Sequence, residues 1–312
     1  MGLLPMGMDI LPPTDDRVFK LLMTSPEAKP VLIYVISTTI NRQVVDVVIR
    51  NNELPVSDTE EKAERLDVNC KIQDGSQVNL EMQASHLEEL SGEHKNLKGK
   101  SVYYLCDLHS SQSARGLKRY DELVQTYQVT FCSYTIFPEL ADYMNSFSMR
   151  HDISNELLSD AIKVIYIELS KLAKTLKKSV NEMTDMEKLS IFLQYANSPA
   201  YRETVNRVIE TKEELQMAGE LLMSISKDEK ERAIFRSRRM YRTDLESNLA
   251  TAEERGKRTG RAEGRAEGRA EGRAEEAMVI AKKALQMNMP TGDIIKLTGL
   301  TQSEIEGLRY MD

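Results

Sequence analysis

Hydrophobic and polar positions alternate most strictly in two stretches separated by a short gap. In the first, Leu66, Val68, Cys70 and Ile72 alternate with Asp67, Asn69 and Lys71; in the second, Val78, Leu80 and Met82 alternate with Asn79, Glu81 and Gln83. A period of two is that of a β-strand with one apolar and one polar face. Facing residues of an antiparallel ladder share a face, which decides the loop between the strands. A two-residue turn at Asp74 and Gly75 would set Val68 against Glu81, apolar against polar. A three-residue loop of Gln73, Asp74 and Gly75 pairs Ile72 with Ser76, Leu66 with Met82 and Asp67 with Glu81. That loop needs a left-handed residue in third place, a conformation glycine adopts without steric cost.

Elsewhere the pattern predicts a helix first, then strands, then helices. Pro12, Pro13 and Thr14 precede Asp15 and Asp16, after which Val18, Phe19, Leu22 and Met23 recur at helical spacing until Pro26 and Pro30. An Asp at this helix start is either a cap for exposed backbone N–H groups or, for Asp16, part of a site. Residues 44–49 read as a strand, residues 101–113 as a helix, and residues 127–137 as one long strand or two short ones, ended by Pro138. From Ile153 onward Leu157, Ala161, Val164, Ile165, Leu169 and Leu172 fit helical spacing, and helical patterns run on through Leu245. The fold class expected is therefore α+β, a strand-bearing core followed by an all-helical C-terminal region.

One repeat interrupts the helical part. Gly256, Gly260, Gly264, Gly268 and Gly272 fall every four residues, the last three closing three copies of Arg-Ala-Glu-Gly that begin at Arg261. Identical charges then stand at i and i+4, and each glycine costs about 1 kcal/mol of helix stability relative to Ala. The segment reads as a marginal helix or a linker. In a parallel two-fold pair of helices, however, the Arg edge of one copy would face the Glu edge of the other. Residues 278–308 then read helix, turn, helix, helix, punctuated by Pro290, Gly292 and Gly299.

The predicted hairpin has a chemical consequence. Opposed residues hold their Cβ atoms about 4.5–5.5 Å apart, and two like charges there destabilise the sheet. Two readings of Asp67 and Glu81 stand at this point. In one, the pair lies on a solvated polar face, balanced by Lys71 or Arg65. In the other, a hard divalent ion such as Mg²⁺ bridges them, and such an ion can activate water against a phosphodiester.

Charge decides little by itself. The net charge of −7 weighs against nucleic-acid binding. Yet between Ser91 and Tyr120 six basic residues (Lys95, Lys98, Lys100, Arg115, Lys118 and Arg119) face only Glu93 and Asp107, a basic stretch compatible with a DNA backbone. Three cysteines and four histidines lack metal-ligand spacing, and an odd cysteine count argues against a disulfide framework. No apolar run approaches the roughly 20 residues of a membrane span, and the N-terminus has no signal-like segment. A cytoplasmic protein with neither membrane nor small-molecule cofactor is expected. The repeat is no phosphate loop, because no strand precedes it.

On an ordered set of residues the chain resembles the recombination-promoting nuclease / putative transposase family of the PD-(D/E)xK superfamily. The set comprises Asp16 to Lys20, Lys62, Arg65 to Val68, Asn79 to Gln83, Tyr103 or Tyr104, Gln112, Gly116, Tyr120, Ile167 to Leu172, the glycine repeat, and Leu297 to Ile305. The resemblance implies a restriction-endonuclease-like core, a mixed sheet flanked by helices, that cleaves DNA with Mg²⁺ or Mn²⁺. It implies Asp67 and Glu81 as metal ligands together with the backbone carbonyl of Met82, and a metal-linked role for Asp16. Gln83 stands where the wider superfamily has a lysine, so the catalytic set becomes Asp67, Glu81, Gln83 and Asp16, with Lys71 and Lys62 as candidate substitutes for the missing cation. The expected organisation is a nuclease core over residues 1–146, a helical domain over 147–250, the repeat over 251–277 and a small helical tail over 278–312, which would support a homodimer. The other reading is a decayed nuclease fold serving as a protein-interaction module; intact Asp67, Glu81 and Gln83 argue against complete decay.

Overall fold

A computed structural model describes residues 2–50, 68–84, 94–112 and 120–308. The chain forms two compact units, residues 1–237 and 238–312.

In the first unit, α1 (Asp16–Thr24) starts where Asp15 places its carboxylate on the backbone N–H groups of Arg17 and Val18, at 3.1 and 3.3 Å. Asp15 is thus the cap, and Asp16 occupies the first helical position. Pro26 and Pro30 do not merely stop this helix. Pro30 sits in the first turn of α2 (Lys29–Ile40), where a missing N–H costs nothing. This apolar helix carries no polar stripe because it is enclosed: Val31, Leu32, Val35 and Ile36 are all buried.

Among the described residues six strands follow in one mixed sheet: β1 (Val47–Ile49), β2 (Val68–Ile72), β3 (Gln77–Gln83), β4 (Thr126–Cys132), β5 (Met144–Arg150) and β6 (Leu157–Glu168), ordered β1-β2-β3-β4-β6-β5. Pairs β1–β2, β2–β3 and β5–β6 are antiparallel, whereas β3–β4 and β4–β6 are parallel. A parallel step needs a crossover, and between β3 and β4 the chain forms helix α3 (His94–Ser110). The hairpin has the register that alternation predicts. Val68 pairs with Leu80 and Cys70 with Val78, Ile72 N–H donates to Ser76 O at 3.0 Å, and Gly75 takes φ +90°.

Strand β6 corrects the helical reading of residues 157–168, and β5 adds a strand that alternation did not announce. Val164, Ile165, Tyr166 and Ile167 form an unbroken apolar run because β6 is covered on both faces. Such a run carries no period with which to tell strand from helix. The sheet therefore passes residue 146, and the expected boundary between core and helical domain falls inside β5.

Val78, Leu80, Met82, Val129, Phe131, Ile165 and Ile167 turn to one face and build the main core. There they meet α1, α2 and three further helices, α4 (Asp185–Tyr195), α5 (Arg202–Ile209) and α6 (Glu213–Lys227). Phe19 and Phe131 stack at a tilt with centroids 5.6 Å apart. At the end of β6, Glu168 is fully buried and accepts from Ile136 N (2.6 Å), Phe137 N (3.0 Å), Asn145 Nδ2 (2.9 Å) and Lys171 Nζ (2.7 Å). Lys171 also donates to the carbonyls of Phe137 and Leu140, both at 2.7 Å. The stretch from Ile167 to Leu172, matched to a helical region in the sequence, is a strand end and a short 3-10 turn that anchors the loop after β4.

Helix α7 (Glu229–Gln286) is 58 residues long and includes the whole repeat. Of the two readings of that segment the structure therefore has the helix. Residues 249–276 are exposed throughout, and a Cβ built on any of the five repeat glycines meets nothing within 4 Å. In the second unit Ala281 and Ala284 of α7 pack with Ile294 of α8 (Thr291–Thr298) and Ile305 of α9 (Gln302–Leu308). Gly299, at φ +73°, makes the turn between α8 and α9.

Candidate active site

The other sheet face lies under α3; it is mostly polar on β3 and β4, while Cys132, Val164 and Tyr166 join Leu97 and Leu105 of α3 in a second, smaller apolar core. On β3 it carries Gln77, Asn79, Glu81 and Gln83, and on β4 Thr126, Gln128, Thr130 and Cys132 in register beside them. Tyr166 of β6 continues the row of Glu81 and Thr130. The covering face of α3 presents Leu97, Ser101, Tyr104, Leu105 and Leu108, all buried. Polar side chains so enclosed need partners, and hydrogen bonds join several of them in two groups. Asn79 Nδ2 donates to Gln128 Oε1 at 2.8 Å and to Glu81 Oε1 at 3.2 Å, and Gln128 Nε2 donates to Thr130 Oγ1 at 3.3 Å. Further along, Gln112 Nε2 donates to Thr126 Oγ1 at 3.0 Å, and the same hydroxyl lies 2.9 Å from His109 Nδ1. Burial lowers the His109 imidazole below its usual range.

Glu81 is the charged member of this face. Only 2% of it is exposed, and Lys100 Nζ of α3 stands 3.6 Å from its Oε2. Burial, with contributions from Cys132 and from the Glu81 charge, pushes the Tyr166 phenol up to about 12, against the lowering effect of Ser101. The phenol therefore keeps its proton at neutral pH.

Asp67, Lys62, Arg115, Lys118, Arg119 and Gly116 lie outside the described residues. Glu81 and Gln83 share the polar face, two residues apart on β3. The Met82 side chain turns into the main core, so what this residue has to offer the polar face is its backbone. Asp16 opens a helix packed on the opposite, apolar face. Lys71 pairs with Gln77 at the turn end of the hairpin, roughly 13 Å along β3 from Glu81. Its Cε lies 3.3 Å from where a Cβ on Gly75 would stand, so its stem follows the turn rather than reaching for Glu81. Of the basic stretch, Lys95, Lys98 and Lys100 are among the described residues. Lys95 is in the first turn of α3, Lys98 sets its ammonium 4.2 Å above the Phe137 ring, and Lys100, some 200° further round the helix, faces Glu81. Among the described residues no three His, Cys, Asp or Glu side chains gather as a metal cluster.

The sequence reading missed the Asn79–Gln128 layer and the approach of Lys100 to Glu81. The first had a signal: Thr126, Gln128 and Thr130 alternate with Tyr127, Val129 and Phe131 as strictly as in the hairpin. The second had none, because it depends on where the crossover helix lies.

A mixed sheet with central parallel strands, helices on both faces and a buried carboxylate on the second hairpin strand defines the restriction-endonuclease-like class of α+β nuclease folds. The chain belongs to the PD-(D/E)XK nuclease family transposases, whose family model matches residues 13–252. No curated protein and no solved structure matches it. The matched region holds the whole sheet, α3, Glu81 and the Glu168 anchor.

Proposed function

We propose that the protein is a metal-dependent deoxyribonuclease that hydrolyses phosphodiester bonds, with Asp67 and Glu81 as its carboxylates. The observation that carries the proposal is the buried Glu81 carboxylate, oriented by Asn79 and faced by Lys100 on a polar sheet face. The described ladder ends at Val68 and Leu80; continued in that register, it would set Asp67 opposite Glu81. Two carboxylates and the Met82 carbonyl are hard oxygen donors, the set that suits Mg²⁺, with Mn²⁺ as a substitute. A bound ion of this kind supplies an activated water and offsets phosphoryl charge. The chain's own part is to hold that donor set still: Asn79 fixes one Glu81 oxygen, and Gln83 offers a hydrogen bond beside it. DNA is the proposed substrate and the cytoplasm the proposed setting, where three free cysteines are at home. A role in recombination or defence against mobile DNA follows from the family resemblance. Among the described residues no helix is long and apolar enough to cross a membrane.

Calorimetry with Ca²⁺, which occupies such sites without supporting rapid turnover, tests the ligand assignment. The wild-type chain is expected to bind, and Asp67→Asn or Glu81→Gln to weaken binding at least tenfold. Equal affinity in all three proteins would remove both carboxylates from the site.

We also infer that α7 self-associates in parallel through the repeat. The supporting observations are its full exposure and the Arg and Glu edges that flank the glycine line. Each exposed cross-pair contributes about 0.2–1 kcal/mol, so the apolar tail must supply the rest. In sedimentation equilibrium the full chain is expected to dimerise, and the double variant Arg265→Glu/Arg269→Glu to weaken the dimer about tenfold. A wild-type monomer at every concentration would leave the repeat a spacer.

A further inference from the structure

A carboxylate as buried as Glu81 is costly unless a positive charge or hydrogen-bond donors compensate it. Asn79 serves one oxygen, and beside the other stands the ammonium of Lys100, 3.6 Å away. The strand itself brings no cation here. Position 83, two residues along on the same face, is Gln, which can donate a hydrogen bond but carries no charge. Lys71 follows the hairpin turn, Lys98 is taken by the Phe137 ring, and Arg42 pairs with Asp74 at 2.5 Å.

The crossover places Lys100 where it is. Helix α3 joins β3 to β4 over the polar face, with Leu97, Ser101 and Tyr104 turned inward. Residue 100 lies at i+3 from Leu97 and at i−4 from Tyr104, on the margin of that inner face. Its stem runs beside Tyr104, with the ammonium 5.1 Å from the ring centroid, and 41% of the side chain meets solvent. A separation of 3.6 Å exceeds the 2.7–2.9 Å typical of a charge-assisted hydrogen bond. The ammonium is therefore held near the carboxylate without being locked to it, on a flexible stem with solvent on one side.

Resting on the nuclease reading above, we propose that Lys100 supplies from helix α3 the cationic group that strand β3 lacks at position 83. Its ammonium would donate to a phosphate oxygen of the substrate and take up the negative charge that grows there as water attacks. Sequence order hides this arrangement, since the ammonium arrives from 19 positions beyond the carboxylate. It is also distinct from the role of a DNA-backbone contact, in which Lys100 would be one of several interchangeable charges.

The test uses the full chain with two readouts, plasmid cleavage in Mg²⁺ and Ca²⁺ binding by calorimetry. Lys100→Met keeps the stem and removes the charge. It is expected to slow cleavage ~100-fold or more, while Ca²⁺ affinity holds or rises, because a repelling charge has left the site. Lys100→Arg should recover most of the rate, and Gln83→Lys added to Lys100→Met should recover at least tenfold. Wild-type cleavage by Lys100→Met would overturn the proposal, as would loss of Ca²⁺ binding in that variant, which would make Lys100 a prop for Glu81. Failure of both Lys100→Arg and Gln83→Lys to raise the rate would overturn it as well. A wild-type chain that neither cleaves nor loses Ca²⁺ binding on Glu81→Gln would show that the nuclease reading itself had failed, and this proposal with it.

Discussion

Glu81→Gln is expected to reduce metal-dependent DNA cleavage by on the order of 10³-fold or more, with little change in stability. The substitution keeps the shape of the side chain and an oxygen for the Asn79 amide, which now donates to Glu81 Oε1 at 3.2 Å. It removes the charge that a hard divalent ion and the Lys100 ammonium both answer to. Thermal unfolding should shift by only a few degrees, so lost activity would not reflect lost structure. Glu81→Ala should cost the same activity but also remove one of the two acceptors of the Asn79 amide and open a cavity under α3, which makes it the poorer test. A Glu81→Gln protein that cleaves at the wild-type rate would place the chemistry elsewhere.

The largest effect on stability is expected at a residue outside the site. Glu168→Ala should destabilise the fold by about 3–5 kcal/mol, a large share of the roughly 5–15 kcal/mol that holds a domain folded. Four donors converge on this fully buried carboxylate: the Ile136 and Phe137 backbone, Asn145 and Lys171. Without it Lys171, 12% exposed, keeps only two carbonyl partners for a buried charge. Lys171→Met should cost less, about 1.5–3 kcal/mol, because Glu168 retains three N–H donors. Urea titrations of the three proteins would measure this order, and a Glu168→Ala midpoint equal to wild type would contradict it.

These residues also mark how far the sequence could be read. The β2–β3 hairpin was legible to the residue, because one strand face is apolar, the other polar, and a one-residue slip would turn Glu81 to the core face and Val78, Leu80 and Met82 away from it. The same logic places Glu81 and Gln83 on one face. It failed at β6, where Val164 to Ile167 are enclosed on both faces and leave no alternation. It offers no reading of α2, a largely enclosed helix with no polar stripe to betray its period. Asp16 shows a local ambiguity: two adjacent aspartates precede the first helix, and only backbone geometry shows that Asp15 takes the capping position. The basic stretch illustrates a different limit. Counting charges from Ser91 to Tyr120 marks a basic stretch but not its faces: Lys98 and Lys100 diverge around α3 to an aromatic ring and a carboxylate. Composition along a helix does not say which face each charge occupies.

The central claim, that this fold cuts DNA with a metal ion, meets its most direct test in one incubation. Purified wild-type chain is mixed with supercoiled plasmid in Mg²⁺, with EDTA in a parallel sample, and the topoisomers are separated on a gel. Conversion to nicked or linear plasmid in Mg²⁺, abolished by EDTA, is the expected result. Plasmid that stays supercoiled in both Mg²⁺ and Mn²⁺, or that is cut equally in EDTA, would contradict the account.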